Sequence, residues 1–387
     1  MNKRVFFFGD INFPRGNAAA NYVQYMAHAL IREEWKVIVV GTNKVKKDLS
    51  QPIRGIADGI EYITFSSAGK FRQFEKKDLD YVTSLFAVDK EDYAIIYGTN
   101  LFLSNYVIKN FDKGHYASCE VELYNWKQYN HYFLNPKYIV YQIGRLTTYM
   151  KIKNMFPIST YIEKKEKRFR CRTLRLPPMI DKRISYGSID ENRDRREVRH
   201  FIYSGRKASG LEDDVEDLVK ALSLLDAETL RKSEFHFTGL NCEFFRNKIG
   251  SCFEKSFLAE RVYLHNWMEY EDLKKLYGTM DFLLLPRNIN SITKANFPSK
   301  IPELLAFAVI PICTDVGDYT SLYLHNNENA FVFSGATPEK IADEIKKATK
   351  LCTTDLERMR KNCLRTVEDT FDYKNWGEVV SGFLIQK

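Results

Sequence analysis

Short apolar runs alternate with amphipathic stretches along the first half of the chain. Residues 5–10 form an apolar run, which predicts a buried strand. Residues 18–34 instead repeat apolar side chains at helical spacing, with Val23, Met26 and Leu30 on one face. Further strands are predicted at 36–41, 93–97, 117–121, 155–158 and 174–180. Strands separated by helices in this way predict a doubly wound parallel sheet.

The same alternation begins again after a polar segment at 181–199, which we interpret as a linker. In the second half the predicted strands are 201–204, 235–238, 262–265, 282–285 and 309–314, and the predicted helices are 215–225, 298–307 and 338–350. The pattern therefore predicts an α/β protein with two Rossmann-like, doubly wound domains that face a cleft, at 1–185 and 186–370.

The composition is that of a soluble globular protein. Of 387 residues, 44% are hydrophobic and 28% are charged, which excludes a wholly disordered chain. No run approaches the length needed to span a bilayer, and the apolar run near residue 5 is too short for a signal peptide. We therefore expect a cytoplasmic protein. Seven cysteines without a Cys-x-x-Cys pair favour free, buried thiols over a disulfide framework or a zinc site.

Positive charge is concentrated in the first half of the chain. Residues 1–185 contain 30 Lys and Arg against 18 Asp and Glu, and the densest basic stretch is 164–172. This asymmetry favours an anionic partner such as a membrane surface or a lipid diphosphate. The alternative is a solvated helix end. We expect no nucleic-acid partner, because no recognised binding module accompanies the charge.

Two segments of the first half could carry chemistry. Gly16 and Asn17 precede the first long helix, where a small loop and free N–H groups favour an anion, or where the chain simply turns. Glu120 and Glu122 follow the strand predicted at 117–121, and their spacing puts them on one face of a strand. Either carboxylate could bind a sugar hydroxyl or move a proton, or both are solvated.

In the second half, candidate ligand-binding residues follow the predicted strands. Gly205, Arg206 and Lys207 follow the first of these strands, and ligands of open α/β sheets bind beyond the carboxyl ends of strands. Arg206 there could meet an anion, or it is an ordinary surface arginine. Gly239 and His265 follow two later strands and could line the same cleft, although His265 fits a core or surface position equally well.

The segment 296–306 is the most informative. Pro298 can open a helix, because the first turn does not need its missing N–H. Ser299 and Lys300 would then lie near the helix start, with Glu303 one turn further on the same side. A cation for a diphosphate and a carboxylate for ribose hydroxyls would share one face. The alternative is a surface Lys–Glu pair on an amphipathic helix.

These segments resemble the family-4 glycosyltransferases of the GT-B fold, most of all bacterial members that build surface polysaccharides. The resemblance covers nearly the whole chain. The loop at Gly16 resembles the family's glycine loop at the donor diphosphate, and Gly205-Arg206 resembles a Gly-Arg pair whose arginine contacts phosphate. The most specific match is Pro298-Ser299-Lys300 with Glu303, which resembles a P-x-K-x-x-E helix whose glutamate holds the ribose. Residues 371–376 resemble the start of a final helix that returns to the first domain.

The resemblance implies a retaining glycosyltransferase with its nucleotide-diphosphate sugar, UDP- or GDP-linked, mainly on the second domain. It implies a glycan or lipid-linked acceptor on the first domain, which helix 371–387 would complete. We assign catalysis to Arg206, Lys300 and Glu122. We assign donor binding to Gly16, Asn17, Gly205, Arg206, Gly239, His265, Pro298, Ser299, Lys300 and Glu303. No metal or other cofactor is assigned, because two cations could neutralise the phosphates. The protein is expected in the cytoplasm, peripherally at the inner face of the membrane.

The chain departs from the family at two positions. Most members carry a second glutamate eight residues before the ribose glutamate, and Ala295 stands there. Many members also have a lysine five residues after the phosphate arginine, where this chain has Leu211. Lys207 or Lys300 could supply the lost charge. These departures leave open an inactive GT-B accessory subunit, and a nucleotide-sugar epimerase is a further alternative.

Overall fold

A computed structural model describes residues 3–14, 18–43, 51–66, 74–128, 134–190, 193, 196–205, 211–250 and 256–386. The chain divides into two compact units. One consists of 1–181 together with 372–387, and the other of 182–371. The sequence prediction placed the corresponding boundaries after residues 185 and 370. The two units are called the first and second domain below.

The first domain is built on an eight-stranded sheet. Its strands are β1 (Arg4–Gly9), β2 (Lys36–Asn43), β3 (Ile53–Ala57), β4 (Ile60–Ser66), β5 (Tyr93–Tyr97), β6 (Tyr116–Glu120), β7 (Asn154–Pro157) and β8 (Arg172–Thr173), in the order β3-β4-β2-β1-β5-β6-β7-β8. Only the pair β3–β4 is antiparallel. Residues 5–8 of β1 are fully buried, as expected for a central parallel strand covered on both faces.

Five helices of the first domain cover this sheet. They are α1 (Ala18–Arg32), α2 (Lys76–Leu85), α3 (Leu101–Asn110), α4 (Pro136–Lys151) and α5 (Thr160–Lys167). The apolar face predicted for α1 is confirmed, because Val23, Met26 and Leu30 are all buried. Asn100 begins α3 by accepting hydrogen bonds from the backbone N–H groups of Phe102 and Leu103.

The second domain contains six parallel strands. They are β9 (Arg199–Ser204), β10 (Ser233–Thr238), β11 (Val262–His265), β12 (Phe282–Leu285), β13 (Ile310–Thr314) and β14 (Phe331–Phe333), in the order β11-β10-β9-β12-β13-β14. The order reverses between β9 and β12. In doubly wound sheets of this order, ligands bind beyond the carboxyl ends of the strands beside that reversal.

The helices of the second domain are α6 (Val215–Ser223), α7 (Ala227–Arg231), α8 (Cys242–Ile249), α9 (Tyr270–Gly278), α10 (Ser291–Ala295), α11 (Lys300–Ala306), α12 (Pro338–Thr349) and α13 (Thr353–Thr366). The last helix, α14 (Gly377–Ile385), belongs to the first domain and packs on α1. Trp35 donates a 2.9 Å hydrogen bond to Ser381. A Cβ on Gly377 would lie 2.7 Å from the carbonyl oxygen of Ala29, so this close approach requires glycine.

Two sequence predictions for the first domain need correction. Residues 174–180 form no strand, because β8 ends at Thr173 and Pro177 and Pro178 cannot donate to a sheet. The hairpin β3–β4 was not predicted. Its turn is Asp58-Gly59, with φ of 49° and 80°, and Asp-Gly is a strong hairpin signal. The predicted doubly wound α/β architecture itself is confirmed.

Among the described cysteines, Cys119, Cys171, Cys313 and Cys363 are buried, and Cys242 and Cys352 are exposed. None of the helices in the described ranges has the length and apolar character needed to cross a bilayer.

Candidate functional site

The ends of β9 and β10 meet at the carboxyl edge of the second-domain sheet. The backbone N–H of Gly205 donates a 3.2 Å hydrogen bond to the hydroxyl of Thr238, which ties the two strand ends together. A Cβ on Gly205 would lie 2.8 Å from the hydroxyl of Tyr203, so a larger residue would displace that ring. Arg206 and Lys207 lie outside the described residues, and the phosphate role assigned to Arg206 stays a prediction.

A chain of polar contacts connects the end of β9 to the start of α11. The hydroxyls of Ser204 and Tyr277 lie 2.6 Å apart. The Nζ atom of Lys300 donates to the Tyr277 hydroxyl at 3.1 Å and to Oε2 of Glu303 at 3.4 Å. Glu303 and Tyr277 are buried, and about a third of the Lys300 side chain is exposed. The predicted Lys–Glu pair therefore exists, anchored on one side by a buried tyrosine.

This environment keeps Lys300 positively charged. Burial lowers the pKa of its ammonium group, but the charge of Glu303 and the contact with Tyr277 outweigh burial, so the pKa lies above its ordinary value. Burial raises the pKa of Tyr277, and the charge of Glu303 raises it further. Lys300 therefore acts as a fixed cation and Tyr277 as a neutral hydroxyl. Two of the three N–H donors of the ammonium group are accounted for by these contacts, which leaves one for a ligand.

The helix itself starts later than predicted. Helix α11 begins at Lys300, and Ser299 precedes it without making a side-chain cap hydrogen bond. Pro298 lies before the helix, where its carbonyl oxygen accepts a 3.1 Å hydrogen bond from the N–H of Ile301. Pro302 is the proline in the first turn, where its missing N–H costs nothing. The prediction that Pro298 opens the helix is therefore wrong by two residues.

The segments that follow β10 and β11 line one cavity of about 310 Å³. Its lining residues are Gly239, Leu240, Asn241, Glu243, Phe244, Asn247, His265, Asn266 and Trp267. Gly239 has a φ of 76°, which favours glycine at this turn. The side chain of Trp267 is 79% exposed and offers a flat aromatic surface at the cavity. The two segments thus share a cavity, as the sequence suggested, although Trp267 was not singled out.

His265 is neutral in this cavity. Its Nε2 atom lies 3.0 Å from Nδ1 of His236, and burial lowers the pKa of His265. Burial and neighbouring histidines lower the pKa of His236 further, to about 3. His265 therefore lines the cavity as a neutral polar side chain, and its contacts give it no role in proton transfer.

A buried arginine that the sequence analysis missed supports the region before α11. Arg287 follows β12, and its guanidinium donates to Asp213 at 3.0 Å, to Glu212 at 3.2 Å and to Asn296 at 2.9 Å. Its backbone N–H also donates to the hydroxyl of Thr314 at 2.9 Å. These bonds connect Arg287 to three separate segments, and one of them is to the side chain of Asn296, four residues before Lys300. In the sequence, the pair Pro286-Arg287 directly after the apolar run 282–285 could have indicated this arginine.

The aspartates at 213 and 214 have different roles. Asp214 accepts a 3.2 Å hydrogen bond from the N–H of Asp217 and caps α6. Asp213 instead pairs with Arg287, and the hydroxyl of Tyr203 donates to it at 3.2 Å. Only Asp214 of the two therefore serves the helix start.

In the first domain, Glu120 and Glu122 do not form a shared face. Strand β6 ends at the buried Glu120, whereas Glu122 lies beyond the strand, is exposed and accepts a hydrogen bond from the hydroxyl of Tyr124. Glu120 is buried, as is Glu166 of α5, and neither carboxylate has a hydrogen-bond partner in the described structure. Burial raises the pKa of Glu120 to about 8, and burial together with the charge of Glu120 raises that of Glu166 to about 9.

Of these three glutamates, only Glu122 is exposed, and its assigned catalytic role stays a prediction. Gly16 and Asn17, assigned to the donor diphosphate, lie outside the described residues.

One group in the described residues has spacing that could hold a metal ion. The ligand atoms of His200, Glu234 and His236 lie within 4.8 Å of one another. However, Arg196 contacts Nε2 of His200 at 3.2 Å, and Arg261 lies 3.9 Å from Glu234. Guanidinium groups thus already provide positive charge there. The group also lies on the amino-terminal and middle parts of β9 and β10, and only His265 connects it to the cavity.

Comparisons with known proteins agree with this architecture. Residues 198–350 match the model of the family described as Glycosyl transferases group 1. No curated protein sequence matches the chain significantly. Among solved structures, sucrose-phosphate synthase from Thermosynechococcus elongatus is 14% identical with a TM-score of 0.72, and the alignment covers 98% of each chain.

Two other solved structures are similar over their whole length. WaaG, a glycosyltransferase involved in lipopolysaccharide biosynthesis, is 15% identical with a TM-score of 0.68 and coverage of 99% of this chain and 100% of WaaG. A glycosyltransferase from Rickettsia africae is 14% identical with a TM-score of 0.68 and coverage of 100% of both chains. At these identities the likeness concerns the fold. The chain therefore has the two-domain GT-B fold that the resemblance predicted, with a Glycosyl transferases group 1 match in its second domain.

Proposed function

We propose that this protein is a retaining glycosyltransferase that moves a sugar from a UDP- or GDP-linked donor to a glycan or lipid-linked acceptor. The main structural support is the cation Lys300 beside Glu303 at the start of α11. The hydroxyl of Tyr277 contacts Lys300 and is itself hydrogen-bonded to Ser204. The family match over residues 198–350 includes this group and supports the same activity. In this proposal the reaction takes place in the cytoplasm, at the inner face of the membrane.

The contacts suggest how the site would favour sugar transfer. When the bond between the sugar and the diphosphate breaks, negative charge develops on the leaving diphosphate. A cation that is already fixed in place stabilises that charge without reorganisation. Lys300 is such a cation, and Arg206 is proposed as the second. Retention of configuration is taken from the resemblance to family-4 enzymes.

Glu303 is proposed to bind the ribose of the donor. One of its oxygens contacts Lys300 at 3.4 Å, and a carboxylate has further lone pairs that can accept from ribose hydroxyls. The cavity lined by Gly239, His265 and Trp267 would take the nucleoside base, because an exposed indole can stack on an aromatic ring. Glu122 of the first domain is proposed to bind the acceptor.

A binding panel of UDP-, GDP-, ADP- and dTDP-sugars, read by calorimetry and thermal shift, tests the proposal. We expect one donor to bind selectively, and Glu303→Ala, Lys300→Ala and Arg206→Ala each to weaken it by at least tenfold. Glu328→Ala, an exposed glutamate in a loop of the same domain, is the matched control and should bind as the wild type does. Unchanged binding in all three site variants would contradict the proposal.

An inactive accessory subunit is the second candidate, and Ala295 favours it. This residue takes the place of the family's first glutamate and is fully buried at the end of α10. An accessory subunit would bind a donor, or none, and release no sugar to any acceptor. An epimerase, the third alternative, would convert the bound donor without an acceptor. Product analysis with the selected donor, with and without acceptor extracts, separates the three.

A further inference from the structure

Helix α4 presents its apolar side chains to solvent. Ile139, Val140, Ile143, Leu146 and Met150 are between 40% and 66% exposed, and we call these five residues the α4 outer face. The spacing 139, 143, 146 and 150 places four of them in one stripe along the helix. Single exposed apolar residues are ordinary on protein surfaces, but a continuous stripe indicates an interaction site.

The inner side of the same helix is formed by Gly144, Thr148 and Tyr149, which are all buried, and Tyr149 belongs to the core of the first domain. A Cβ on Gly144 already lies 3.3 Å from the backbone nitrogen of Leu101, and the hydroxyls of Thr148 and Ser104 lie 2.8 Å apart. The helix therefore packs on the domain through a glycine, a threonine and one tyrosine, while its larger aliphatic side chains point outward. A surface helix without a further partner directs its aliphatic side chains inward, which α4 does not do.

The surroundings of the α4 outer face are positively charged. Between residues 123 and 162 the sequence contains five basic residues and no acidic residue. Lys137 and Lys151 are exposed at the two ends of α4. The ring of Tyr149 lies 5.4 Å from that of Phe169, and the arginines on either side of Phe169 are exposed. Basic side chains are therefore present at both ends of the apolar stripe.

The basic stretch at 164–172, which the sequence analysis offered for membrane contact, is partly engaged within the domain. Lys167 pairs with Glu163 at 2.8 Å. The guanidinium of Arg172 donates to the carbonyl oxygens of Phe383 and Gln386 at the end of α14. Charge alone also gives weak attachment. The α4 outer face adds the apolar component that a surface-bound helix needs.

We propose that the α4 outer face docks on the surface of an anionic lipid bilayer. The aliphatic side chains would enter the boundary between head groups and acyl chains, and the lysines at the helix ends would contact lipid phosphates. The helix has 16 residues, three of them basic, so it lies in the plane of the surface. A second copy of the chain would bring the same positive charges together, whereas an anionic surface complements them.

This inference depends on the first domain alone and does not require the proposed transferase activity. The test is co-sedimentation of the full chain, without any donor, with vesicles of phosphatidylcholine and phosphatidylglycerol at 7:3, and with vesicles of phosphatidylcholine only. We expect the partition coefficient to be at least tenfold higher with the anionic vesicles, and to fall by at least tenfold when salt is raised from low to high concentration.

The double variant Ile143→Ser with Met150→Ser should lower partitioning to anionic vesicles by a further tenfold or more, with unchanged thermal unfolding because both residues are exposed. Leu224→Ser with Leu364→Ser is the matched control, since these leucines are similarly exposed in the second domain, and it should bind like the wild type. Absence of binding to the anionic vesicles at low salt would overturn the proposal, as would equal binding by the α4 variant. A wild-type dimer that the α4 variant converts to a monomer would assign the face to a second copy and overturn it too.

Discussion

Glutamine in place of Glu120 or Glu166 is expected to weaken the pH dependence of the first domain's stability. Both carboxylates are buried without a hydrogen-bond partner in the described structure, and their pKa values rise to about 8 and about 9. In the unfolded chain each group titrates near its ordinary value. Between that value and the raised pKa, the folded protein keeps a proton that the unfolded chain has released. Stability therefore falls as pH rises through this interval.

The slope follows from the number of protons. One retained proton corresponds to about 1.4 kcal/mol of unfolding free energy for each pH unit. From pH 5.5 to pH 7.0, each carboxyl therefore costs about 2 kcal/mol. In a domain of this size, that is a lowering of Tm by about 4–8 °C. Glutamine is neutral at every pH and similar in shape to a protonated glutamate. Each single variant should therefore remove about 2 kcal/mol of the decrease in unfolding free energy between pH 5.5 and pH 7.0.

Scanning calorimetry of wild type, Glu120→Gln and Glu166→Gln at pH 5.5, 6.25 and 7.0 measures this directly. The difference in Tm between each variant and the wild type should widen by about 4–8 °C from pH 5.5 to pH 7.0, with the variants unfolding at the higher temperature. Glu122→Gln, at an exposed position, is the matched control and should keep the wild-type slope. A wild type whose Tm does not fall between pH 5.5 and 7.0, or a Glu166→Gln variant with the full wild-type slope, would refute the reasoning.

Three further predictions concern the second domain. Arg287→Met should leave Asp213 as an unpaired, mostly buried carboxylate and destabilise the domain by about 3–5 kcal/mol, measured by denaturant unfolding. Trp267→Ala should weaken binding of the selected donor by about tenfold in calorimetry, because stacking on a base contributes about 1–3 kcal/mol, while Tm stays constant since the indole is exposed. Tyr277→Phe removes the hydroxyl that contacts Lys300 and should lower kcat/KM about tenfold, and it should destabilise the domain by about 1–3 kcal/mol because the buried Ser204 also loses a partner; an unchanged kcat/KM would contradict its positioning role.

The parts of the fold that were predictable depend on local patterns. Apolar runs located the central strands, and helical spacing located α1 and its buried face. Residues 174–180 were misread because their apolar content resembles a strand, whereas two adjacent prolines remove the donors that a strand needs. The hairpin β3–β4 was missed because β3 is largely exposed and short, so its apolar pattern is weak.

The same distinction applies to the candidate site. Lys300 and Glu303 are three residues apart on one helix, so spacing alone brought them together. Tyr277 and Arg287 act through tertiary contacts that no local pattern contains. The hydroxyl of Tyr277 is contributed by a helix 23 positions before Lys300, and Arg287 contacts a carboxylate 75 positions before it. The side chains that hold the site in place were therefore harder to predict than those proposed to touch the ligand.

The contacts of Lys300 also bear on the two positions at which the chain departs from the family-4 enzymes that it resembles. The family's first glutamate is replaced by Ala295, which is fully buried, so a glutamate there would place a charge in the interior and would need its own partner. Glu303, eight positions further along in α11, is paired with a lysine whose pKa it raises, so Lys300 stays protonated. A diphosphate that approaches Lys300 meets a cation already oriented by Tyr277 and Glu303. In the proposed donor site, Lys300 would therefore contact phosphate from α11, although position 211 is a leucine.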